Sequence, residues 1–364
     1  MRLKDVTLRE GDQLPGRSFS VEQKVAAGQA LDRLGVEYIQ AGFPVTGTTD
    51  REAITELAAT TDAEVVGLAR AVKGDIEAAV DAEADVVEII ASLSDDHLEH
   101  VVGMSAEEMF DRLTDAVVLA RDCGLTPHVS VVDAFRTDER RLVGVFERCP
   151  DVPAVTLADT VGARVPSSVR SLLTDIGATV DLSRAGVHFH DDLGVATANA
   201  LAAMDVGVSS VDVSVCSLGE RAGNTALEAL VVADATDGDG ALSVATDELM
   251  PVCREVLSEL DETIDPRRPV LGDAVTTHES GIHTAAMLDD PGVFEPFDPA
   301  AFGGRRRLLF GEGTGRGGAR KLLARADVEP TDERVTTLLD ALTEEGPVET
   351  EDAVALARRT FSGG

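Results

Sequence analysis

Arg2-Leu3-Lys4-Asp5-Val6-Thr7-Leu8, followed by Arg9-Glu10-Gly11-Asp12-Gln13, stands just after Met1, and the turn between these two stretches separates the possible architectures. The first seven residues read as a strand. A doubly wound sheet would follow its first strand with a glycine-rich phosphate turn. Arg9-Glu10-Gly11-Asp12-Gln13 is charged and holds one glycine, so that architecture is set aside. Further short β-branched runs fall at residues 36–41, 64–69, 85–91, 127–132, 154–158, 186–190 and 210–215. Amphipathic stretches such as 20–34, 106–123 and 166–176 lie between them. Eight strands alternating with helices give a parallel sheet, and eight is the number that closes. The sequence therefore predicts an α/β fold, a (β/α)8 TIM barrel over residues 1–240. Past about Gly238 the alternation stops. Residues 247–260, 331–344 and 349–359 read as helices around a looser segment rich in Gly, Pro and Asp. That predicts a C-terminal, mostly helical appendage over 241–364.

A length of 364 residues with 44% hydrophobic content suits a barrel plus an appendage. Acidic residues outnumber basic ones 66 to 32, for a net charge of −34. The acid is dispersed, and only four lysines occur, Lys4, Lys24, Lys73 and Lys321. Dispersed acid of this kind argues against nucleic acid as a partner. It suits a protein kept hydrated in a high-salt cytoplasm. No apolar run approaches the length of a membrane span, and the N-terminus opens directly into a strand, so neither anchor nor signal peptide is expected. Cys123, Cys149, Cys216 and Cys253 lie far apart without a CxxC pair. They read as reduced, structural thiols in a cytoplasmic protein.

In a barrel, chemistry collects where strands end. Strand seven ends in His188-Phe189-His190-Asp191-Asp192. Period-two alternation turns His188 and His190 to one face and sends Phe189 outward under the helices. Two imidazoles and one carboxylate, with positions left open, hold a catalytic divalent cation in many enzymes. Glu10, at the end of strand one, can supply the carboxylate across the mouth. Magnesium, manganese and zinc (Mg2+, Mn2+ or Zn2+) all tolerate such a set. Arg9 beside it is placed to neutralise a developing oxyanion. The segment His278-Glu279-Ser280-Gly281-Ile282-His283 does not have the spacing of a helical HExxH site. An acid–base role for one of its histidines fits better. The Gly-rich stretch from Gly311 to Gly318 lacks a P-loop lysine and follows no clear strand, so it is expected to be a flexible turn.

Leu8-Arg9-Glu10-Gly11-Asp12-Gln13 with Lys24, His188-Phe189-His190-Asp191-Asp192-Leu193-Gly194, and Gly219-Glu220-Arg221-Ala222-Gly223-Asn224 resemble the signatures of the 2-isopropylmalate, homocitrate and citramalate synthases. Ala41-Gly42-Phe43-Pro44, Ala158-Asp159-Thr160-Val161-Gly162 and the His278 to His283 segment extend the resemblance over nearly the whole chain. The lyase branch of that superfamily carries a cysteine-containing loop where this chain has Gly219 to Asn224, so the synthase branch fits better. The resemblance implies a Claisen condensation of acetyl-CoA with a 2-oxo acid, followed by thioester hydrolysis. It implies that the metal chelates the 2-oxo acid, with Asn224 close to the metal and Arg9 on the oxyanion. Glu220 would help complete the site. Ser130 and Thr160 would line the substrate pocket with His97 nearby, and His283 would serve acid–base chemistry. Homo-oligomerisation, as a homodimer or larger, is expected on the same ground.

The chain departs from the family pattern at several positions. Val132 stands where a glutamate is usual, and Asp133 faces the opposite way on the strand. Phe294 stands for a tyrosine and Gly313 for a histidine. These changes leave two other readings open, an aldol-cleaving relative and a non-catalytic binder of metal and 2-oxo acid. His128 stands where homocitrate synthases tend to carry an arginine. That favours a small or apolar 2-oxo acid such as 2-oxoisovalerate or pyruvate. The chain stops short of a leucine-regulatory domain, so no leucine feedback is expected. The surface acid carries its own test. The melting temperature is expected to rise as KCl is raised from millimolar to molar, measured by circular dichroism, and a flat response would contradict a charge-strained surface.

Overall fold

The β-branched runs become eight parallel strands in the computed structural model, which describes residues 1–361. They are β1 (Arg2–Asp5), β2 (Tyr38–Gly42), β3 (Glu64–Arg70), β4 (Val86–Ser92), β5 (Thr126–Val132), β6 (Val155–Asp159), β7 (Ala185–Phe189) and β8 (Ser210–Val213). They pair in chain order and form a closed barrel. Closure is made by β1 against β8, Arg2 opposite Ser210 and Asp5 opposite Val213. One main helix follows each strand. These are α1 (Val21–Leu34), α2 (Thr48–Thr60), α3 (Lys73–Asp81), α4 (Ala106–Asp122), α5 (Glu139–Arg148), α6 (Pro166–Gly177), α7 (Ala196–Val206) and α8 (Leu227–Asp237).

Local sequence sets the ends of these elements. Ser20 caps α1 by accepting from the Gln23 N–H at 3.2 Å, and Gln23 Oε1 accepts from the Ser20 N–H at 3.0 Å. Gly35 ends the helix in the left-handed region, where a side chain would be strained. Strand one is shorter than its apolar run suggests. The Asp5 carboxylate accepts from the Thr7 N–H at 2.9 Å and the Thr7 hydroxyl at 3.0 Å, which bends the chain into a helical turn at Thr7–Glu10. Outward side chains such as Leu3, Ile39, Val65, Ile89, Val131 and Phe189 are fully buried under the helices. The barrel interior instead holds polar groups, among them Lys4, Gln40, Glu88, Thr156, His188 and Asp212, all buried.

The chain divides into two units, Met1–Thr263 and the residues from Ile264 onward. The boundary expected at 240/241 thus falls later. The reason is α9 (Leu249–Glu259), which buries Leu249, Val252, Cys253 and Val256 and packs against α1. Gln23 Nε2 also donates to the Glu259 carbonyl at 3.0 Å.

The second unit is richer in strands than its sequence suggests. β9 (Thr277–His278), β10 (Arg307–Phe310) and β11 (Val348–Glu349) form a three-stranded sheet in the order β11-β10-β9. Strands of two residues leave no periodicity to read. Around them lie α10 (Gly281–Met287), α11 (Arg316–Arg325), α12 (Asp332–Glu345) and α13 (Thr350–Phe361). Their core is built on Phe310, Leu322, Leu323, Val335, Leu338 and Leu342. The Gly-rich stretch is corrected on one point: it directly follows β10 and leads into α11. The Gly311 N–H donates to Thr314 Oγ1 at 2.9 Å and fixes the turn. A Cβ on Gly281 would run into the backbone of Gly313 and Gly315, so the start of α10 sits directly on this turn.

Lys24 ties the loops above the first two strands together. Its fully buried Nζ lies 2.5 Å from Asp12, 2.6 Å from Asp50 and 3.1 Å from the Ala41 carbonyl. Breaking an enclosed pair costs ~3–5 kcal/mol, and the partial exposure of both aspartates reduces that. Lys24→Met is expected to lower the unfolding free energy by roughly 2 kcal/mol, read from urea denaturation at fixed KCl.

Candidate metal centre at the barrel mouth

The short turn after β1 delivers Glu10, and β7 delivers His188 and, one step past its last residue, His190. Ligand atoms of Glu10, His188 and His190 all lie within 4.8 Å of one another, and all three residues are buried. His188 Nε2 stands 3.4 Å from Glu10 Oε1 and 3.4 Å from His190 Nε2. Asn224 reaches the same point, with Nδ2 3.2 Å from His188 Nε2. His190 and Asn224 are paired by an isolated bridge that holds the loop after β8 against the end of β7.

Asp212 on β8 fixes the tautomer. Its Oδ2 accepts from His188 Nδ1–H at 3.1 Å, which leaves the Nε2 lone pair facing Glu10 and His190. Burial, and then the nearby His188, lower the His190 pKa to about 4, so its ring is neutral at neutral pH and keeps a lone pair free for a cation. Burial alone would raise the Glu10 pKa. The Arg9 guanidinium, then His188 and His190, outweigh that and hold it below the ordinary carboxylate range. Glu10 Oε2 and Asn224 Oδ1 are buried with no hydrogen-bond partner. A divalent cation meets the chemistry of this donor set, since it satisfies stranded oxygens and converging lone pairs together. The residues fit the metal that the sequence implied.

A cavity of about 250 Å³ opens beside the cluster. Arg9, Glu220, Thr160 and Ser130 line it with the three ligand residues, and Phe43, Leu68, Ile90, Val132 and Ala158 supply an apolar wall. Arg9 is held from two sides, by an ion pair to Glu10 and by Nε donating to Gln40 Oε1 at 2.6 Å. Thr160 Oγ1 accepts from the Asp133 N–H at 2.9 Å. Asp133 itself is buried in a two-armed pair with Arg136, at 2.7 and 2.9 Å, away from the cavity. His97 Nε2 lies 3.8 Å from the same carboxylate, and His97 is not among the residues lining the cavity.

His128 also lies off the cavity, edge-on to Tyr38 with ring centroids 5.2 Å apart. His283 belongs to the second unit, where its ring stacks on Phe294 at 3.9 Å. His278 Nε2 is 3.7 Å from Glu295 there. A larger cavity of about 690 Å³ in that unit is lined by Arg305, Arg306 and Arg325. These guanidinium groups are already engaged by Glu349, Glu295 and the Leu288 carbonyl, so it offers little chemistry.

Several residues of the site escape a sequence reading. Arg221 clamps three strand ends, donating to Asp192 at 2.9 and 3.0 Å and to the Thr160 carbonyl at 2.8 Å, and pairing with Glu220 at 2.9 Å. Lys4, Gln40, Glu88 and Asp212 form the barrel floor. Their one sequence signal is a polar side chain inside an otherwise apolar run.

Residues 1–256 match the family described as HMGL-like, and residues 270–348 match the homocitrate synthase post-HMGL domain-like family. The chain is 39% identical over 349 residues to the "Probable 2-isopropylmalate synthase" of Methanopyrus kandleri, an alignment covering 95% of this chain and 70% of that protein. It is 38% identical over 338 residues to the "Homocitrate synthase AksA" of the same organism, covering 92% and 85%. Among solved structures, the hydroxymethylglutaryl-CoA lyase of Pseudomonas aeruginosa superimposes with a TM-score of 0.63 at 22% identity, over 72% of this chain and 93% of that one, a likeness of fold. Among the described residues, no helix is long and apolar enough to cross a membrane.

His128 gives the site region a pH signature. Burial first, and then the charges of Lys4 and Arg2, lower its pKa to about 3 against an ordinary 6.5. The native state thus keeps the ring neutral while the unfolded chain protonates it. The stability it contributes is complete above pH 6.5 and is lost as pH falls toward 3, at up to ~1.4 kcal/mol per pH unit. His128→Gln is expected to flatten the fall by that one-proton slope, measured as unfolding free energy against pH.

Proposed function

The chain belongs to the HMGL-like family, and from that membership we propose that it is an acyltransferase condensing acetyl-CoA with a 2-oxo acid of short, apolar side chain. The observation that carries the proposal is the convergence of Glu10, His188 and His190 on one point beside Arg9 and a half-apolar cavity. Relatives named for 2-isopropylmalate and homocitrate synthesis support the reaction class. A divalent ion held by Glu10, His188 and His190, with Asn224 beside it, would supply Lewis-acid polarisation of the ketone.

The chain's own residues do the rest. Thr160 and Ser130 offer hydroxyl groups to the 2-oxo carboxylate. The substrate's side chain packs on Leu68, Ile90 and Val132. Arg9, the one guanidinium lining this cavity, faces the alkoxide that forms when the acetyl methyl carbon, having lost a proton, bonds to the ketone carbon. Protonation of that alkoxide, and attack of water on the thioester, then release the hydroxy acid and the CoA thiol. His283 is our acid–base candidate, and Glu220 our candidate for completing the site. A dicarboxylic 2-oxo acid would bring a second anion to a wall of aliphatic side chains without a counter-charge.

Val132 favours a second reading. An aliphatic side chain accepts no proton, so a relative that cleaves by an aldol route, or one that binds metal and 2-oxo acid without turnover, would tolerate it. Thiol release from acetyl-CoA with a panel of 2-oxo acids in molar KCl separates the three. Release is expected with 2-oxoisovalerate or pyruvate, far less with 2-oxoglutarate, and none after chelation until Mg2+, Mn2+ or Zn2+ is returned. Arg9→Ala is expected to lower kcat by roughly 10²–10³. Binding of metal and 2-oxo acid with no thiol released across the panel would overturn the acyltransferase reading.

A further inference from the structure

Two of the four lysines in this acid-rich chain are buried. Lys24 has its role in tying loops. Lys4 sits on the inward side of β1, on the barrel floor, and is not among the residues lining the cavity at the mouth. Its Nζ lies 2.5 Å from Glu88 Oε1 on β4 and 3.2 Å from Asp212 Oδ1 on β8. Each of those carboxylates turns its other oxygen toward the mouth. Glu88 Oε2 accepts from the Gln40 amide, whose Oε1 accepts from Arg9 Nε at 2.6 Å. Asp212 Oδ2 accepts from His188 Nδ1 at 3.1 Å. Arg9 pairs with Glu10, and Glu10 stands 3.4 Å from His188, which completes a ring.

We propose that Lys4 is a positioning residue that orients both halves of the site from below, the Arg9 guanidinium through Glu88 and Gln40, and the His188 imidazole through Asp212. This rests on the proposed function. The geometry works through donor and acceptor direction. A carboxylate only accepts, so Glu88 makes Gln40 present its NH2 downward and its carbonyl oxygen upward to Arg9. Were Glu88 to swing away, the amide would be free to rotate and set its NH2 against a guanidinium that has no acceptor. On the other arm, Asp212 makes His188 carry its proton on Nδ1 and offer Nε2 to the ion. Lys4 takes one oxygen from each carboxylate, so neither can rotate without breaking an enclosed ion pair.

The test uses the full chain in molar KCl with three variants. Lys4→Met removes the tether. Lys4→Met combined with Glu88→Met removes one charge of each sign and keeps the volume filled, a change that buried pairs tolerate. Gln40→Met cuts only the arm to Arg9. Mn2+ affinity is read by calorimetry, kcat and KM by thiol release, and folding by circular dichroism. Both Lys4 variants are expected to weaken Mn2+ binding roughly tenfold to a hundredfold and to lower kcat with the KM for acetyl-CoA unchanged. Gln40→Met is expected to lower kcat and leave Mn2+ affinity intact.

Wild-type affinity and kcat in Lys4→Met, or recovery of both in the double variant, would show that Lys4 only balances charge and would overturn the inference. If neither Lys4 variant folds, Gln40→Met decides, and an unchanged kcat there overturns it. A wild-type protein that binds Mn2+ but condenses nothing sinks the proposed reaction alone, and the affinity comparison still judges Lys4.

Discussion

Parallel pairing of β1 with β8, Arg2 opposite Ser210 through Asp5 opposite Val213, turns an open sheet into a cylinder. The contacts of the site follow from that closure. It sets Lys4 beside Asp212 and, one turn further up, Glu10 beside His188. The hydrogen bond from the Val215 N–H to the Thr7 hydroxyl, at 2.9 Å, locks the same seam just above the strands. Sequence neighbours contribute little to the cluster, because its members come from the first ten residues and from the stretch between His188 and Asn224. Without closure the same side chains would lie on opposite edges of a sheet.

Electrostatics then decides what the mouth can hold. Lys4 and Arg9 face Glu10, Glu88 and Asp212 in a volume largely shut off from water. Two cations against three carboxylates leave one negative charge, with the two imidazoles beside it. A divalent ion would invert that balance to one positive charge, which the carboxylate of a 2-oxo acid would cancel. Enclosed charge is tolerated only when it is matched, so a divalent ion and an anion bound together would be better matched here than either alone. The surface follows a different rule. There acid exceeds base across the chain, 66 residues to 32, and dissolved salt would screen the excess.

Much of this was legible beforehand, for identifiable reasons. The eight strands could be found because fully buried parallel strands read as short β-branched runs. His188 and His190 could be assigned to one face because alternation on a strand is strictly two-residue. Glu10 was legible as a strand-end carboxylate, although β1 stops at Asp5 and a helical turn carries the residue to its place. Lys4, Gln40, Glu88 and Asp212 were not legible. Their partners lie on other strands across the barrel, and no local pattern encodes which inward side chains meet. The extent of the first unit was hidden for a similar reason. The helix Leu249–Glu259 looks like any amphipathic helix, and its partner α1 lies more than two hundred residues earlier in the chain. In the second unit, strands of two residues defeat any periodicity.

The floor and the wall of the cavity differ in how freely they can be rewritten. On the floor each polar residue answers to another, so a single exchange strands a charge or a proton, and change there has to arrive in coordinated pairs. Leu68, Ile90 and Val132 on the wall would offer a substrate only their shape, so one replacement at a time could widen, narrow or polarise the pocket while leaving the Glu10, His188 and His190 cluster undisturbed. A scaffold divided in this way allows new substrates to be explored by ordinary drift on one side of the cavity, with the chemistry conserved on the other.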